Sequence, residues 1–159
     1  MTFWKRLAPD GGTFLSAVLI VFAFPPWDLT PLIWFALVPW FAALRRTTTL
    51  KQAALQGLWL SFFMTLGGFY WIAYVLQEFG GLPLSLAVIG LLLFGLIGQP
   101  QFYLFAPIYI RLRQHISLVS SGWKSAGLAA ALGLFYTGLD WILPKLFVDP
   151  FGHSFYASP

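Results

Sequence analysis

Cysteine is absent from this sequence of 159 residues, and charged residues make up only 9% of it. The absence of cysteine excludes disulfide bonds, thiolate metal sites and cysteine nucleophiles from the chain. The scarcity of charge excludes an ordinary soluble domain, in which about a quarter of the residues are charged. The sequence also lacks internal repeats and the GxSxG, HExxH, Walker-type and GxGxxG motifs. We therefore predict no metal, no cofactor and no inverted-repeat transporter.

Apolar residues dominate the chain, since 59% of it is hydrophobic and 19% is aromatic. Charged residues divide this material into five apolar runs, a pattern that predicts an all-α integral membrane protein with about five transmembrane helices. Together they form one N-terminal transmembrane domain over residues 1–159. The third and fourth runs are long enough to cross a bilayer, whereas the others would cross where the bilayer is thinned. The approximate spans are 12–25, 30–44, 53–76, 84–110 and 125–143.

The positions of the basic residues predict the orientation of these helices. If the N-terminus is cytoplasmic and all five runs cross, eight of the nine lysines and arginines face the cytoplasm, and only Lys145 lies outside. Basic loops remain on the cytoplasmic side of membrane proteins. We therefore predict that the N-terminus is inside and the C-terminus outside. The net charge of +4 is then a consequence of topology, and no nucleic-acid partner is predicted.

The segment FPPWDLTP, residues 24–31, interrupts the first apolar stretch after a short run. Proline lacks a backbone donor and forces the preceding residue out of the helical region. The segment is therefore predicted to be a non-helical turn that joins the first two helices into a short antiparallel hairpin. A cleaved signal peptide is the alternative interpretation of this N-terminal region. A further hypothesis is that the short hairpin leaves a lateral opening near the outer leaflet.

Four residues are candidates for contacts to a lipid or its headgroup: Trp71, Glu78, Asp140 and His153. Trp71 and Glu78 lie at the predicted outer end of the third run, and Asp140 lies at the outer end of the fifth. Each also has an ordinary interpretation, as an interfacial aromatic, an interfacial charge or a loop residue. His153 next to Ser154 could act as a base for a serine nucleophile, but the spacing matches no motif. No catalytic residue is assigned within the chain.

Several short segments of the sequence resemble one known family. The chain has FPPWD at residues 24–28 and PLIWFALVPW at 31–40, which match a short helix, a proline break and a second short helix. It also has FYWI at 69–72 and FGGLP at 79–83, which match an aromatic helix end followed by Phe-Gly-Gly. In these features the chain is similar to the N-terminal membrane domain of the apolipoprotein N-acyltransferases.

The resemblance extends toward the end of the chain, with two departures. The sequence has DWILPK at 140–145 and FGHS at 151–154, which match an acid, a basic residue and a final Phe-Gly-x-Ser. The family usually has glutamate and arginine where this chain has Asp140 and Lys145. The usual Phe-Pro-Trp stretch is replaced by FVDP at 147–150.

The resemblance implies a function for the chain. Members of the family transfer an acyl chain from a phospholipid to the N-terminal amine of the lipid-modified cysteine of bacterial lipoproteins. Their Glu-Lys-Cys triad lies in a nitrilase-like periplasmic domain that follows further helices, and that domain is absent from this chain. The resemblance therefore implies a multi-pass protein of the bacterial inner membrane that is inactive alone. Its partners would be membrane lipid, a phospholipid acyl donor and a lipoprotein acceptor.

The final residues, FGHSFYASP, are aromatic and uncharged, and from them we expect a longer chain to continue beyond this sequence. The leading interpretation is then a membrane segment that holds the catalytic domain at the outer leaflet and admits lipid between its helices. Two alternatives remain open at this point. One is a non-catalytic membrane remnant or scaffold, and the other is a small multi-pass transporter.

Overall fold

The computed structural model describes residues 8–116 and 122–144. Within these residues all regular structure is helical and no strand occurs, which confirms the all-α prediction. A 3-10 turn, Thr30–Leu32, lies between the first two helices. The α-helices follow in the order α1 (Gly11–Ala23), α2 (Ile33–Ala36), α3 (Val38–Arg46), α4 (Leu50–Gly68), α5 (Trp71–Glu78), α6 (Leu84–Ile97), α7 (Pro100–Ile116) and α8 (Gly122–Ile142).

The proline segment forms the turn that the sequence predicts. Helix α1 begins after Asp10, whose carboxylate accepts a hydrogen bond of 2.9 Å from the amide of Gly12. It ends directly before residues 24–29, which are not helical. The turn closes through the amide of Leu29, which donates to the carbonyl of Phe22 at 3.0 Å. Helices α1 and α3 then pack against each other in opposite directions, which confirms the antiparallel hairpin.

The second arm of the hairpin is divided into three helical pieces rather than being one continuous helix. Pro39 lies in the first turn of α3, so the chain begins a new helix there after Leu37. The amide of Trp40 has no partner within its own helix at this position. It donates instead to the hydroxyl of Ser16 in α1, at 2.8 Å. A side chain of the first arm thereby caps the start of α3.

The longer apolar runs are also bent or broken. Helix α5 is inclined by 61° to α4, after a break of two residues. Helices α6 and α7 are separated only by Gly98 and Gln99, and together Leu84–Arg113 forms the one helix of 30 residues in the described chain that is long and apolar enough to cross a membrane. The bent pair α4–α5 would make a second. Helix α1 and the apolar part of α8, Ala129–Ile142, are shorter.

Helix α4 occupies the centre of the bundle and packs against α1, α6 and α7, while α8 packs on α7. We call the end of the bundle that holds residues 24–29 and the last turn of α4 the turn end. The opposite end, which holds residues 45–51 and 111–113, is the basic end. The core between them is largely aromatic and aliphatic, and its largest fully buried apolar side chains are Trp40, Phe102, Phe105, Ile20, Leu44, Leu60 and Ile110.

Glycines of α4 allow the close approach of its neighbours at two positions. The sequence suggests Gly57, Gly67 and Gly68 for this role. A Cβ atom at Gly57 would overlap the backbone carbonyl of Phe102 in α7, and one at Gly67 would lie 2.7 Å from Cγ2 of Val21 in α1. A Cβ atom at Gly68 would meet nothing within 4 Å. The prediction is therefore confirmed for Gly57 and Gly67 and is wrong for Gly68.

We expect Gly57→Ala to destabilise the bundle, because the new methyl group can be accommodated only if the backbones of α4 and α7 move apart. Overpacking of this kind typically lowers the free energy of unfolding by about 1–3 kcal/mol. The measurement is the Tm of the purified chain in detergent micelles. Gly68→Ala on the same helix is the matched control and should leave the Tm nearly unchanged. Equal Tm values for the two variants would contradict the close contact between α4 and α7.

Candidate functional site

The turn end exposes a group of aromatic side chains on α5. Trp71 is the first residue of this helix and Glu78 is the last, and both are exposed. Around them, Tyr70 is 60% exposed, Tyr74 is 62% exposed and Phe79 is 82% exposed. Tryptophan and tyrosine are enriched where the hydrocarbon of a membrane meets its headgroups. Helix α5 therefore has the composition of a segment that lies at a membrane interface.

An apolar cavity of ≈180 Å³ lies directly beside α5, between the proline turn and the last turn of α4. Its wall contains no charged side chain, so it suits hydrocarbon rather than a polar group. Phe69 connects the cavity to α5, because it lines the cavity while the centroid of its ring lies 6.3 Å from that of Trp71. The lining residues are Ile20, Val21, Phe24, Pro25, Met64, Gly68 and Phe69.

Asp140 lies in a different part of the bundle from Trp71 and Glu78. Helix α5 packs on α6, whereas α8, which carries Asp140, packs on α7. On α8 the ring of Tyr136 lies 5.9 Å from that of Phe102. Helix α8 runs antiparallel to α7, and Asp140 follows Tyr136 by one helical turn. Asp140 is therefore near the level of the break between α6 and α7. The half-buried Asp140 therefore lies deeper along the bundle than the sequence suggests.

That break carries two buried glutamines that reasoning from the sequence did not select. Gln99 and Gln101 are each 2% exposed, and the amide of Gln101 donates to the side-chain oxygen of Gln99 at 2.6 Å. The side-chain oxygen of Gln101 and the indole nitrogen of Trp40 are buried without a hydrogen-bond partner. The signal was present, because the sequence GQPQ interrupts the longest apolar run near its middle. It is a polar break, as FPPWDLTP is, but it lacks charge.

His153 and Ser154 lie outside the described residues. Within residues 8–116 and 122–144, no group of three or more His, Cys, Asp or Glu side chains is arranged to hold a metal ion. In the same part of the chain the ion pair is Arg46 with Asp10, at 2.7 Å and at the basic end. The turn end therefore combines an apolar cavity, an exposed aromatic surface and the carboxylate of Glu78.

Comparison with known proteins identifies one family. The family model described as the apolipoprotein N-acyltransferase N-terminal domain matches residues 16–159. An apolipoprotein N-acyltransferase of Bdellovibrio bacteriovorus is 36% identical over 97 residues. That match covers 58% of this chain but only 17% of the relative. No solved structure matches the chain.

The two matches name the same family. The family model spans nearly the whole chain and includes every described helix except the first residues of α1. The chain belongs to the apolipoprotein N-acyltransferase family, of which it carries the N-terminal domain.

Proposed function

We propose that this chain is the membrane part of an apolipoprotein N-acyltransferase, and that it admits a phospholipid to a catalytic domain held above its turn end. The reaction is the transfer of an acyl chain to the N-terminal amine of a lipoprotein acceptor. The resemblance to the family implies that the nucleophile of this reaction is a cysteine, and this chain contains no cysteine. The part of the chain in the reaction is therefore to bind and orient the donor.

The cavity beside α5 is the observation that carries this proposal. It is apolar, it is bounded by the proline turn, and its lining residue Phe69 has its ring 6.3 Å from that of Trp71 at the start of α5. One acyl chain of a phospholipid would enter it, while the ester and headgroup would remain at the interface near Trp71 and Glu78. Holding the reacting ester in place lowers the barrier of a transfer by several kcal/mol in favourable cases.

The four sequence-derived residues have separate roles in this proposal. Trp71 would line the headgroup region, and Glu78, at the exposed end of α5, would accept hydrogen bonds from a headgroup amine or hydroxyl. Asp140 would act at a deeper level, where acids are costly and commonly functional. His153 would contribute from the segment after α8.

The proposal includes a location and a topology. We infer a multi-pass protein of the bacterial inner membrane in which all five apolar runs cross, with the basic end in the cytoplasm and the turn end outside. The basic asymmetry of the sequence supports this orientation. The grouping of the described basic side chains at one end of the bundle and of the aromatic surface at the other supports it further.

Labelling of single cysteines tests the topology, since the chain has no native thiol. Thr48→Cys introduces an exposed thiol at the basic end, and Leu29→Cys introduces one in the proline turn. In intact cells, an impermeant maleimide should label position 29 and leave position 48 unlabelled. After the cells are opened, both positions should react. Labelling of position 48 from outside intact cells would contradict the orientation.

Complementation tests the function. A strain depleted of its own lipoprotein N-acyltransferase would receive either this chain alone or a protein in which the chain replaces the matching part of the Bdellovibrio relative. We expect the joined protein to restore the third acyl chain on lipoproteins, measured by mass spectrometry of their N-termini, and the chain alone to restore none. Rescue by the chain alone would refute a purely positioning role. An inactive joined protein, beside an active unmodified relative, would favour a non-catalytic remnant.

Filling the cavity should slow the joined enzyme. Gly68 lines the cavity, and a Cβ atom there meets nothing within 4 Å, so Gly68→Leu begins a side chain at the wall of the space proposed for the acyl chain. We expect kcat/KM for the phospholipid to fall by about tenfold, which corresponds to a barrier higher by about 1.4 kcal/mol.

The matched control is Gly127→Leu on α8, where an added Cβ atom also meets nothing within 4 Å and where no residue lines the cavity. This variant should keep the kcat/KM of the unmodified joined enzyme. A Gly68→Leu enzyme as active as Gly127→Leu would show that the cavity does not hold the donor.

A further inference from the structure

A second apolar groove lies on the other side of the bundle, between α3, α7 and α8. Its volume is ≈410 Å³. Phe41 of α3 and Tyr109 of α7 form one wall, with ring centroids 5.1 Å apart. Ala129 and Gly133 of α8 form part of the opposite wall, and their small size leaves the groove open. The groove shares no lining residue with the cavity beside α5.

Arginines stand at the basic end of this groove. On α3, Arg45 follows Phe41 by four residues, and on α7, Arg113 follows Tyr109 by four residues. Residues four apart on a helix lie on the same face, one turn along. Both helices run toward the basic end, so both arginines lie one turn beyond the aromatic wall. Nη1 of Arg113 lies 3.4 Å from the carbonyl oxygen of Leu44, which brings the two helix ends together.

The charge at this end is largely uncompensated. Among the described residues it holds the basic side chains of Arg45, Arg46, Lys51, Arg111 and Arg113. The carboxylate nearby in the described chain is Asp10, and it is paired with Arg46. Arg45 is exposed and has no ion pair within residues 8–116 and 122–144. The residues that line the groove include no charged side chain. An anion one helical turn beyond Phe41 and Tyr109 would therefore be near the guanidinium groups of Arg45 and Arg113 and would meet no carboxylate of the lining.

We propose that this groove binds one anionic phospholipid of the cytoplasmic leaflet, with an acyl chain between α3, α7 and α8 and its phosphate on Arg45 and Arg113. The proposal rests on the orientation proposed above but not on acyl transfer. Topology alone explains why positive charge collects at this end. Topology does not explain why an apolar groove leads toward two arginines. Basic pockets between transmembrane helices bind lipid headgroups in this way.

The occupant is a lipid rather than free phosphate or another helix, because a phospholipid carries both an apolar chain for the groove and an anionic group for the arginines. The apolar wall matches the acyl chain, and the guanidinium groups match the phosphodiester, which they can bind through two parallel hydrogen bonds. Free phosphate would leave the groove empty. A second copy of this chain would bring its own basic end against Arg45 and Arg113 if it packed side by side in the same orientation.

Native mass spectrometry of the full chain tests the proposal. The chain is released from micelles of a neutral detergent that contain equal amounts of phosphatidylglycerol and phosphatidylcholine with identical acyl chains. We expect one phosphatidylglycerol to be retained in preference to phosphatidylcholine. Arg45→Gln and Arg113→Gln should each weaken retention by about fivefold, the contribution of one basic side chain near a charged membrane surface. Arg45 is exposed and forms no ion pair within residues 8–116 and 122–144, so Arg45→Gln tests the site even if Arg113→Gln lowers stability.

Two further variants separate the lipid site from general attraction. Lys51→Gln removes one positive charge at the same end but lies on α4, which contributes no residue to the groove, and it should retain the lipid as the unmodified chain does. Gly133→Leu keeps every charge but fills the groove, since a Cβ atom there meets nothing within 4 Å, and it should lose the bound lipid.

Four outcomes would overturn the proposal. Equal loss for Lys51→Gln and Arg45→Gln would indicate diffuse surface charge, and full retention by Gly133→Leu would indicate a headgroup site without a chain site. Displacement of the lipid by millimolar inorganic phosphate would indicate an anion site. A dimer without bound lipid would indicate that a second copy covers the groove. Loss of acyl transfer with lipid retention intact would count against the proposed function and not against this site.

Discussion

The constraint on which this structure depends is that every interruption of a helix inside an apolar bundle frees backbone groups that need partners. In hydrocarbon an unpaired amide or carbonyl costs several kcal/mol, so irregular backbone is tolerated only where protein covers it. The described chain interrupts its helices repeatedly, and two of these interruptions in the hairpin are matched by specific contacts. The amide of Trp40 bonds to Ser16, and the amide of Leu29 bonds back to Phe22.

Helix α4 makes these interruptions possible because it is the element against which the broken ones pack. Gly57 lies where the backbones of α4 and α7 touch, and the hydroxyl of Ser61 donates to the carbonyl of Gly95 in α6 at 3.2 Å. The first turns of α4 carry Gln56, which accepts from the amide of Asp10 and the hydroxyl of Thr13 at 3.0 and 2.6 Å. Short polar contacts along one long helix thus fix the hairpin on one side and the α6–α7 pair on the other.

Local chemistry determined which parts of this arrangement could be predicted from the sequence. The proline turn was predictable because two adjacent prolines and Asp28 act on their immediate neighbours. The bend before α5 was not, because residues 69 and 70 are an ordinary phenylalanine and tyrosine and the bend depends on packing of α5 against α6. The contrast between Gly57 and Gly68 was also hidden, because spacing along a helix does not reveal which neighbour approaches which face.

The candidate site was predictable in composition but not in arrangement. Trp71 and Glu78 at the end of the third run were selected from the sequence, and they are exposed at the two ends of one short helix. The cavity beside them was not selected, because its lining comes from the ends of α1 and α4 and from the turn, and each of those residues is unremarkable alone. The position of Asp140 along the bundle depends on how α8 is aligned along α7, and the amino-acid sequence does not reveal that alignment.

The helices that meet at the turn end differ in length. Helix α1 has 13 residues, which at about 1.5 Å per residue makes about 20 Å. The run Leu84–Arg113 has 30 residues and extends about 45 Å by the same rise. A hydrocarbon core is about 30 Å thick, so in the proposed topology the hairpin is too short for it and the long run exceeds it. The bilayer beside the hairpin must then be thin, or hydrocarbon must lie over the proline turn. The apolar cavity lies at that turn and α5 is inclined to α4 beside it, so the mismatch would bring lipid tails close to the cavity proposed for the acyl chain.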